Sequence, residues 1–203
     1  KADSLQDEAD WCDITLPTTT PYAKSKTLAE RVAWEVAKSR GLKLTTINPG
    51  MVLGPPLDEH YGTSLGLVER IMKGKDPMLP GLGFPSVDVR DVAEMHLRAL
   101  QRPETAGKRY LATSGSMAMV DMGRTLKAAY PTRRIATREA PAFVLRLLAL
   151  FDPQVKSILP KIGHLERVSN ARAVKEMAME FIAPKTALLS AADWLAKHGK
   201  VWQ

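Results

Sequence analysis

Apolar residues first fall into regular order after Tyr22, where Leu28, Ala29, Val32, Ala33 and Val36 recur at spacings of three and four. That period belongs to a helix. Gly41 follows as a stop, and Lys38 and Arg40 sit where cations suit the negative end of the helix dipole, so the pattern predicts a helix over 22–40. Leu42 to Asn48 is short, rich in β-branched residues and ended by Pro49-Gly50, which predicts a strand feeding a tight turn. The alternation continues with helices over 64–73 and 91–101, a strand over 108–112, a helix over 117–130 and a further strand over 133–138. Three helices complete the pattern: 141–151, 169–179 with Ser169 or Asn170 as N-cap, and 185–198 after Pro184. Residues 1–21, acidic and then rich in Thr and Pro, read as a long surface loop.

Strands alternating with helices of about ten to fifteen residues imply an α/β fold with a parallel sheet, here followed by a helix-rich appendage. Composition agrees with one large core: 203 residues, 45% hydrophobic and 25% charged, which excludes disorder, collagen and coiled coil. No stretch approaches the roughly 18 to 20 apolar residues of a membrane-spanning helix, so no membrane partner is expected. The net charge of +7 invites a nucleic-acid reading. The basic residues are spread along the chain, however, and the densest pairs, Lys73/Lys75 and Arg133/Arg134, are too short to form a tract. A solvated basic surface is the reading adopted, with no nucleic-acid partner, although positive charge also suits a cofactor carrying several phosphates. The single cysteine, Cys12, has no partner for an intrachain disulfide, which fits a reducing compartment and a cytoplasmic location.

The chemistry centres on Tyr22 and Lys26 in YAKSK, four residues apart and therefore on one helix face. A free phenol titrates near about 10, and a neighbouring ammonium favours the phenolate, bringing such a group towards proton exchange at neutral pH. YxxxK alone is a weak signal. Its context is Asn48-Pro49-Gly50 at the end of the next strand, followed by Met51-Val52-Leu53-Gly54-Pro55-Pro56. In open α/β sheets ligands lie beyond the carboxyl ends of strands, where a Pro-Gly turn lets backbone approach a flat ring. His60, His96, His164 and His198 lack metal-ligand spacing, so no metal is expected. Met117, Met119 and Met122 read as core, Trp34, Trp194 and Trp202 as packing residues, and His60 and Tyr61 as a surface loop.

TPYAKSKTLAERVAWE, TTINPGMVLGPPL, PSVDVRDVAEMHLRAL and the late VSNARAV together resemble an extended short-chain dehydrogenase/reductase of the NAD-dependent epimerase/dehydratase superfamily. The nearest likeness is to the branch of dihydroflavonol, cinnamoyl-CoA and bacterial aldehyde reductases. Nucleotide-sugar epimerases usually carry an Arg-containing strand ending in an N-V-Y-G-P-like turn, where this chain reads TTINPGMVLGP. The resemblance implies a Rossmann-like doubly wound parallel sheet with a smaller helix-rich substrate domain. Residues 1–112 would be the C-terminal part of the dinucleotide-binding domain, with 54–85 reaching the substrate side, and 113–203 the substrate region. The implied activity is reduction of a small-molecule ketone or aldehyde by hydride from NADP or NAD in reduced form. Tyr22 would donate the proton. Lys26 would assist it and hold the nicotinamide ribose, Pro49, Gly50, Met51 and Val52 would line the nicotinamide, and Ser64 would contact the cofactor phosphates. Ser64 taken alone is equally a helix N-cap. Asp88, Arg90 and Asp91 would brace a helix start beside the pocket.

Two alternatives stand beside this reading: a nucleotide-sugar epimerase or dehydratase, and a non-catalytic Rossmann-like binding or regulatory protein, against which Tyr22 and Lys26 argue. The family's Gly-rich fingerprint is absent from the sequence, and Gly81-Leu82-Gly83 follows Pro80 in a loop and does not replace it. The catalytic Ser or Thr that normally precedes the Tyr is also missing, so the chain reads as the C-terminal portion of a reductase. Such a portion is expected to be inactive alone. It would expose a sheet edge along which it aggregates or forms a homodimer.

Overall fold

In the computed structural model, which describes residues 5–201, Thr20 opens the first helix. Its hydroxyl accepts the Ala23 N–H at 3.2 Å, Pro21 presets the first turn, and Gly41 ends the helix in the left-handed region at φ 65°. This helix, α1, spans Pro21–Arg40. Strands β1 (Thr45–Pro49) and β2 (Met51–Leu53) follow with Gly50 alone between them, then α2 (Thr63–Met72), β3 (Leu79–Pro80) and β4 (Gly83–Asp88). Next come α3 (Val89–Gln101), a single 3₁₀ turn at Pro103–Thr105, β5 (Lys108–Ala112), β6 (Gly115–Ala118) and α4 (Met119–Ala129). The last part holds β7 (Glu139–Ala140), α5 (Ala142–Leu148), α6 (Pro153–Ile158), α7 (Ala171–Met177) and α8 (Pro184–Lys197).

The fold is α/β and its pairings are mainly parallel. β1 runs parallel to β5, from Thr45 opposite Lys108 to Pro49 opposite Ala112. β2 is parallel to β4, β4 is antiparallel to β6, and the short β3 and β7 are parallel. The β1–β5 crossover carries two helices and the β2–β4 strands, so parallel neighbours are joined through long connections, as parallel pairing requires. No helix among the described residues is long and apolar enough to cross a membrane.

Two predicted elements differ. Residues 117 and 118 belong to β6, not to the helix that follows, because Met117 pairs with Phe84 and Ala118 with Gly83 across the antiparallel ladder. The strand predicted over 133–138 is not formed. Lys127 Nζ donates to the carbonyls of Pro131 and Arg133, holding that segment as a turn, and only Glu139 and Ala140 pair with β3. At α7, Asn170 occupies the cap position but its side chain donates to the Thr113 carbonyl at 2.8 Å, while the Ser169 hydroxyl accepts the Ala171 N–H at 3.2 Å.

α1 buries a different face from the one its apolar period suggests. Leu28, Val32 and Val36 are exposed, Thr27 and Ala37 are buried, and Glu30 and Trp34 lie between. The main core gathers where α2, α4 and α8 meet, around Val68, Ile71, Met72, Met122, Leu126, Leu188 and Leu195, with Leu53 and Leu79 from the strands. A second cluster, Val87, Met95, Tyr110, Ala112, Ala173 and Met177, fills the space between α3, α7 and β5. Met119 and Met122 are buried and Met117 packs against the main core. Trp194 stacks on His198 at 3.9 Å and meets the Tyr61 ring edge-on at 5.9 Å. Trp202 lies outside the described residues.

Gly123, inside α4, shows how tightly this core closes. A Cβ there would lie 2.2 Å from the Ala136 carbonyl oxygen and 2.6 Å from Leu79 Cδ1. Helix propensity alone favours alanine over glycine by about 1 kcal/mol, but overpacking costs about 1–3 kcal/mol. Gly123→Ala is therefore expected to lower stability, read as a lower denaturation midpoint with unchanged m-value in urea titration.

Candidate active site

Tyr22 and Lys26 stand one turn apart at the start of α1, and the Lys26 ammonium lies 5.6 Å from the centre of the Tyr22 ring. Both are exposed, Tyr22 by 72%, so the pair is open to a ligand from solvent. Beside them lies a cleft of about 460 Å³ whose walls include Gln6, Asp10, Trp11, Cys12, Thr18, Thr19, Thr20 and Ala23, with Lys161 and Glu166 opposite. Cys12 is an exposed free thiol in that wall.

One turn further along α1, Glu30 points inward. Its Oε1 accepts from Arg109 Nε at 2.8 Å, Thr46 Oγ1 at 2.7 Å, and Asn48 Nδ2 and Trp34 Nε1 at 3.3 Å each. Its Oε2 accepts from the second Arg109 nitrogen at 3.2 Å. Burial raises the pKa of this carboxyl, but the donors outweigh burial, Arg109 foremost, and hold it below the ordinary carboxylate range. Arg109 is itself gripped from behind. It donates to the carbonyl of Glu8 at 2.7 Å and of Asp10 at 3.3 Å, and the Trp11 ring lies 3.8 Å from its guanidinium.

Through Asn48 this network reaches the turn after β1. Gly50 donates its N–H to the Ala112 carbonyl at 3.0 Å, and a Cβ on it would fall 2.4 Å from the Pro85 carbonyl oxygen. Only glycine fits, because the turn is pressed against β4. Pro49 is exposed, and Met51 and Val52, half-buried, pair with Ser86 and Val87. Ser64 is not the N-cap of α2. Gly62 holds that position without any side-chain bond, which leaves the half-buried Ser64 in the first turn with no side-chain hydrogen bond among the described residues.

Asp88 and Arg90 brace the start of α3, as the resemblance implied, and Asp91 lies in its first turn. Buried Asp88 caps α3 by accepting the Arg90 N–H at 2.9 Å and receives the Arg90 guanidinium in a fork at 2.7 and 2.8 Å. Asp91 accepts the Ile182 N–H at 2.9 Å. Burial, reinforced by Asp88, pushes its carboxyl above the ordinary range. His60 is exposed, whereas Tyr61 packs under the loop and donates to Glu69 at 2.9 Å. Burial and that carboxylate push its phenol up to about 12.

Sequence reasoning picked out Tyr22, Lys26 and the Pro49–Val52 turn, and passed over Glu30, Arg109, Glu8 and Trp11. The one local signal was Glu30 itself, a carboxylate four residues beyond Lys26 on the same helix.

Residues 2–112 match the model of the NAD dependent epimerase/dehydratase family. Among curated proteins, cinnamoyl-CoA reductase 1 of Arabidopsis thaliana is 37% identical over 114 residues, covering 55% of this chain and 33% of that protein. An anthocyanidin reductase of Vitis vinifera is 28% identical over 144 residues, or 64% of this chain and 42% of that protein. Among solved structures, yeast methylglyoxal/isovaleraldehyde reductase Gre2 complexed with NADPH superposes with TM-score 0.74 at 25% identity, covering 96% of this chain and 58% of that one. Vestitone reductase from alfalfa superposes with TM-score 0.77 at 23% identity, over 98% and 61%. The chain thus spans well under half the length of these curated relatives.

The Glu30 network carries a pH signature. A carboxyl whose folded pKa is depressed contributes stability that is present above its unfolded value and lost as pH falls through the folded one. Glu30→Gln is expected to cost on the order of 1–3 kcal/mol at neutral pH, with the difference from the parent protein shrinking below about pH 4. Denaturant titrations at a series of pH values give both numbers. A difference that stays constant across the series would mean the carboxylate is not the stabilising form.

Proposed function

The chain belongs to the NAD dependent epimerase/dehydratase family, and within that family we propose that it carries the proton-donating part of a reductase acting on a ketone or aldehyde with NADPH or NADH. The observation that carries this reading is the exposed Tyr22–Lys26 pair, with the ammonium 5.6 Å from the ring, at the head of a helix anchored to the turn after β1. The reductases among its relatives, and NADPH in the Gre2 structure, support it.

The residues present suit such a cofactor. Pro49 is exposed at the end of β1, beyond which ligands of open α/β sheets lie, and Lys26 is an exposed cation with no carboxylate partner among the described residues. A bound nicotinamide dinucleotide supplies the hydride. Tyr22 gives its hydroxyl proton to the carbonyl oxygen, and the phenolate left behind is stabilised by Lys26 and reprotonated from solvent, to which Tyr22 is open. Lys26 also holds the nicotinamide ribose hydroxyls. Pro49, Gly50, Met51 and Val52 line the nicotinamide, and Ser64, whose hydroxyl is uncommitted, meets the cofactor phosphates. On this reading residues 1–112 form the cofactor side, with 54–85 reaching towards substrate, and 113–203 supply the substrate side.

Two variants of the intact protein test the assignment. Tyr22→Phe keeps the ring and removes the proton, so kcat for carbonyl reduction should fall by about 10² to 10⁴ while NADPH affinity changes little. Lys26→Met should lower kcat and weaken NADPH together, because one ammonium serves two roles. Steady-state kinetics on aldehyde and ketone panels, with UDP- and dTDP-sugars alongside, provide the measurement. Near-normal reduction by Tyr22→Phe, or turnover confined to the sugars, would overturn the reading.

A further inference from the structure

Lys26 and Glu30 are four residues apart on α1, the separation at which a lysine and a glutamate on a free helix come within reach of each other. They do not pair. The Glu30 carboxylate is turned to the sheet, where Arg109 from β5 takes both of its oxygens at 2.8 and 3.2 Å. Thr46 and Asn48 of β1 fill the remaining acceptor directions of Oε1. Both members of the pair are largely sequestered, their side chains 14% and 12% exposed. Arg109 is in turn fixed by the Glu8 and Asp10 carbonyls and by the Trp11 ring, so it cannot follow Glu30 outwards. Lys26 meanwhile faces the Tyr22 ring and ion-pairs with no carboxylate among the described residues.

We propose that Arg109 is a positioning residue for the Tyr22–Lys26 pair: by holding the Glu30 carboxylate on the sheet side of α1, it keeps the Lys26 ammonium free for Tyr22 and the cofactor ribose. This rests on the reading that Lys26 serves the cofactor. Arg109 touches neither reactant. Its action is to remove a competitor. A shorter or neutral side chain at 109 leaves Glu30 with the Thr46 hydroxyl, the Asn48 amide and the Trp34 indole alone; Arg31, next in sequence, lies over the Trp11 ring, and Lys26 is the cation one turn back on the same helix face. Pairing with it would turn the ammonium away from Tyr22 and cancel the positive charge that the site needs.

A double-variant cycle on NADPH binding to the intact protein, read by calorimetry, separates this role from simple bracing. With Lys26 present, Arg109→Gln is expected to weaken NADPH by about threefold to tenfold. In the Lys26→Met background the same substitution should add nothing, since the ammonium it protects is gone. Adding Glu30→Gln to Arg109→Gln should restore much of the affinity. Equal loss in the two backgrounds would overturn the proposal, because a brace acts whether or not Lys26 is there. If Lys26→Met alone leaves NADPH binding and turnover unchanged, the underlying assignment of Lys26 fails, and this proposal with it. Should Arg109→Gln not fold, Arg109→Lys carries the cycle. Its single ammonium cannot take both Glu30 oxygens in a fork, and the resulting loss must again depend on Lys26.

Discussion

One half-buried ion pair, Glu30 with Arg109, fixes how the helix bearing Tyr22 and Lys26 meets the sheet. α1 has little apolar contact to hold it, because Leu28, Val32 and Val36 face outwards. Its attachment is polar and directional: a forked guanidinium–carboxylate bond, joined by Thr46 and Asn48 at the same oxygen. Polar contacts of this kind fix rotation and register more tightly than an equivalent apolar patch, which tolerates sliding. Tyr22 and Lys26, one turn apart on α1, would be swung together by even a small roll of that helix.

The second constraint is the closeness of that turn to β4. The Gly50 Cα sits so near the Pro85 carbonyl that no side chain fits between them. β1 and β2 are therefore nearly continuous strands that part company at one residue, β1 pairing with β5 and β2 with β4. At this divergence Gly50 is held on two sides, by the Ala112 carbonyl and by Pro85, and the fork of Arg90 on Asp88 stiffens the next strand end along. α1 and the turn are linked by Asn48, which belongs to β1 yet bonds to Glu30.

What the sequence made legible follows from the range of each interaction. α1, its Gly41 stop and its basic last turn are local features and could be read directly. Tyr22 and Lys26 were singled out by the neighbouring NPG turn and the resemblance of the surrounding segments, and their role stands as proposed. The buried face of α1 was not legible, because its inward positions are Thr27, Glu30, Trp34 and Ala37 while a regular apolar stripe faces out. Residues 117–118 were misread as helix for a similar reason: Met117, Met119 and Met122 keep helical spacing although the first of them sits in a ladder with Phe84. Arg109 alternates on a strand like any charged residue, and nothing near it announces a partner 79 positions away.

That separation has a consequence for how the protein is made. A ribosome adding about 5–20 residues per second needs roughly 4–16 s to pass from Glu30 to Arg109. Throughout that interval α1 can coil, since its cap, stop and internal period are all in place, but the guanidinium that claims Glu30 has not been synthesised. A nascent α1 thus has Lys26 as the cation one turn from that carboxylate, in the weaker Lys-before-Glu order and worth at most about 0.5 kcal/mol. Docking of β5 then delivers the guanidinium to Glu30, and α1 gains its forked attachment only at that moment. The anchorage of α1 is completed late, by the arrival of a strand that carries neither Tyr22 nor Lys26.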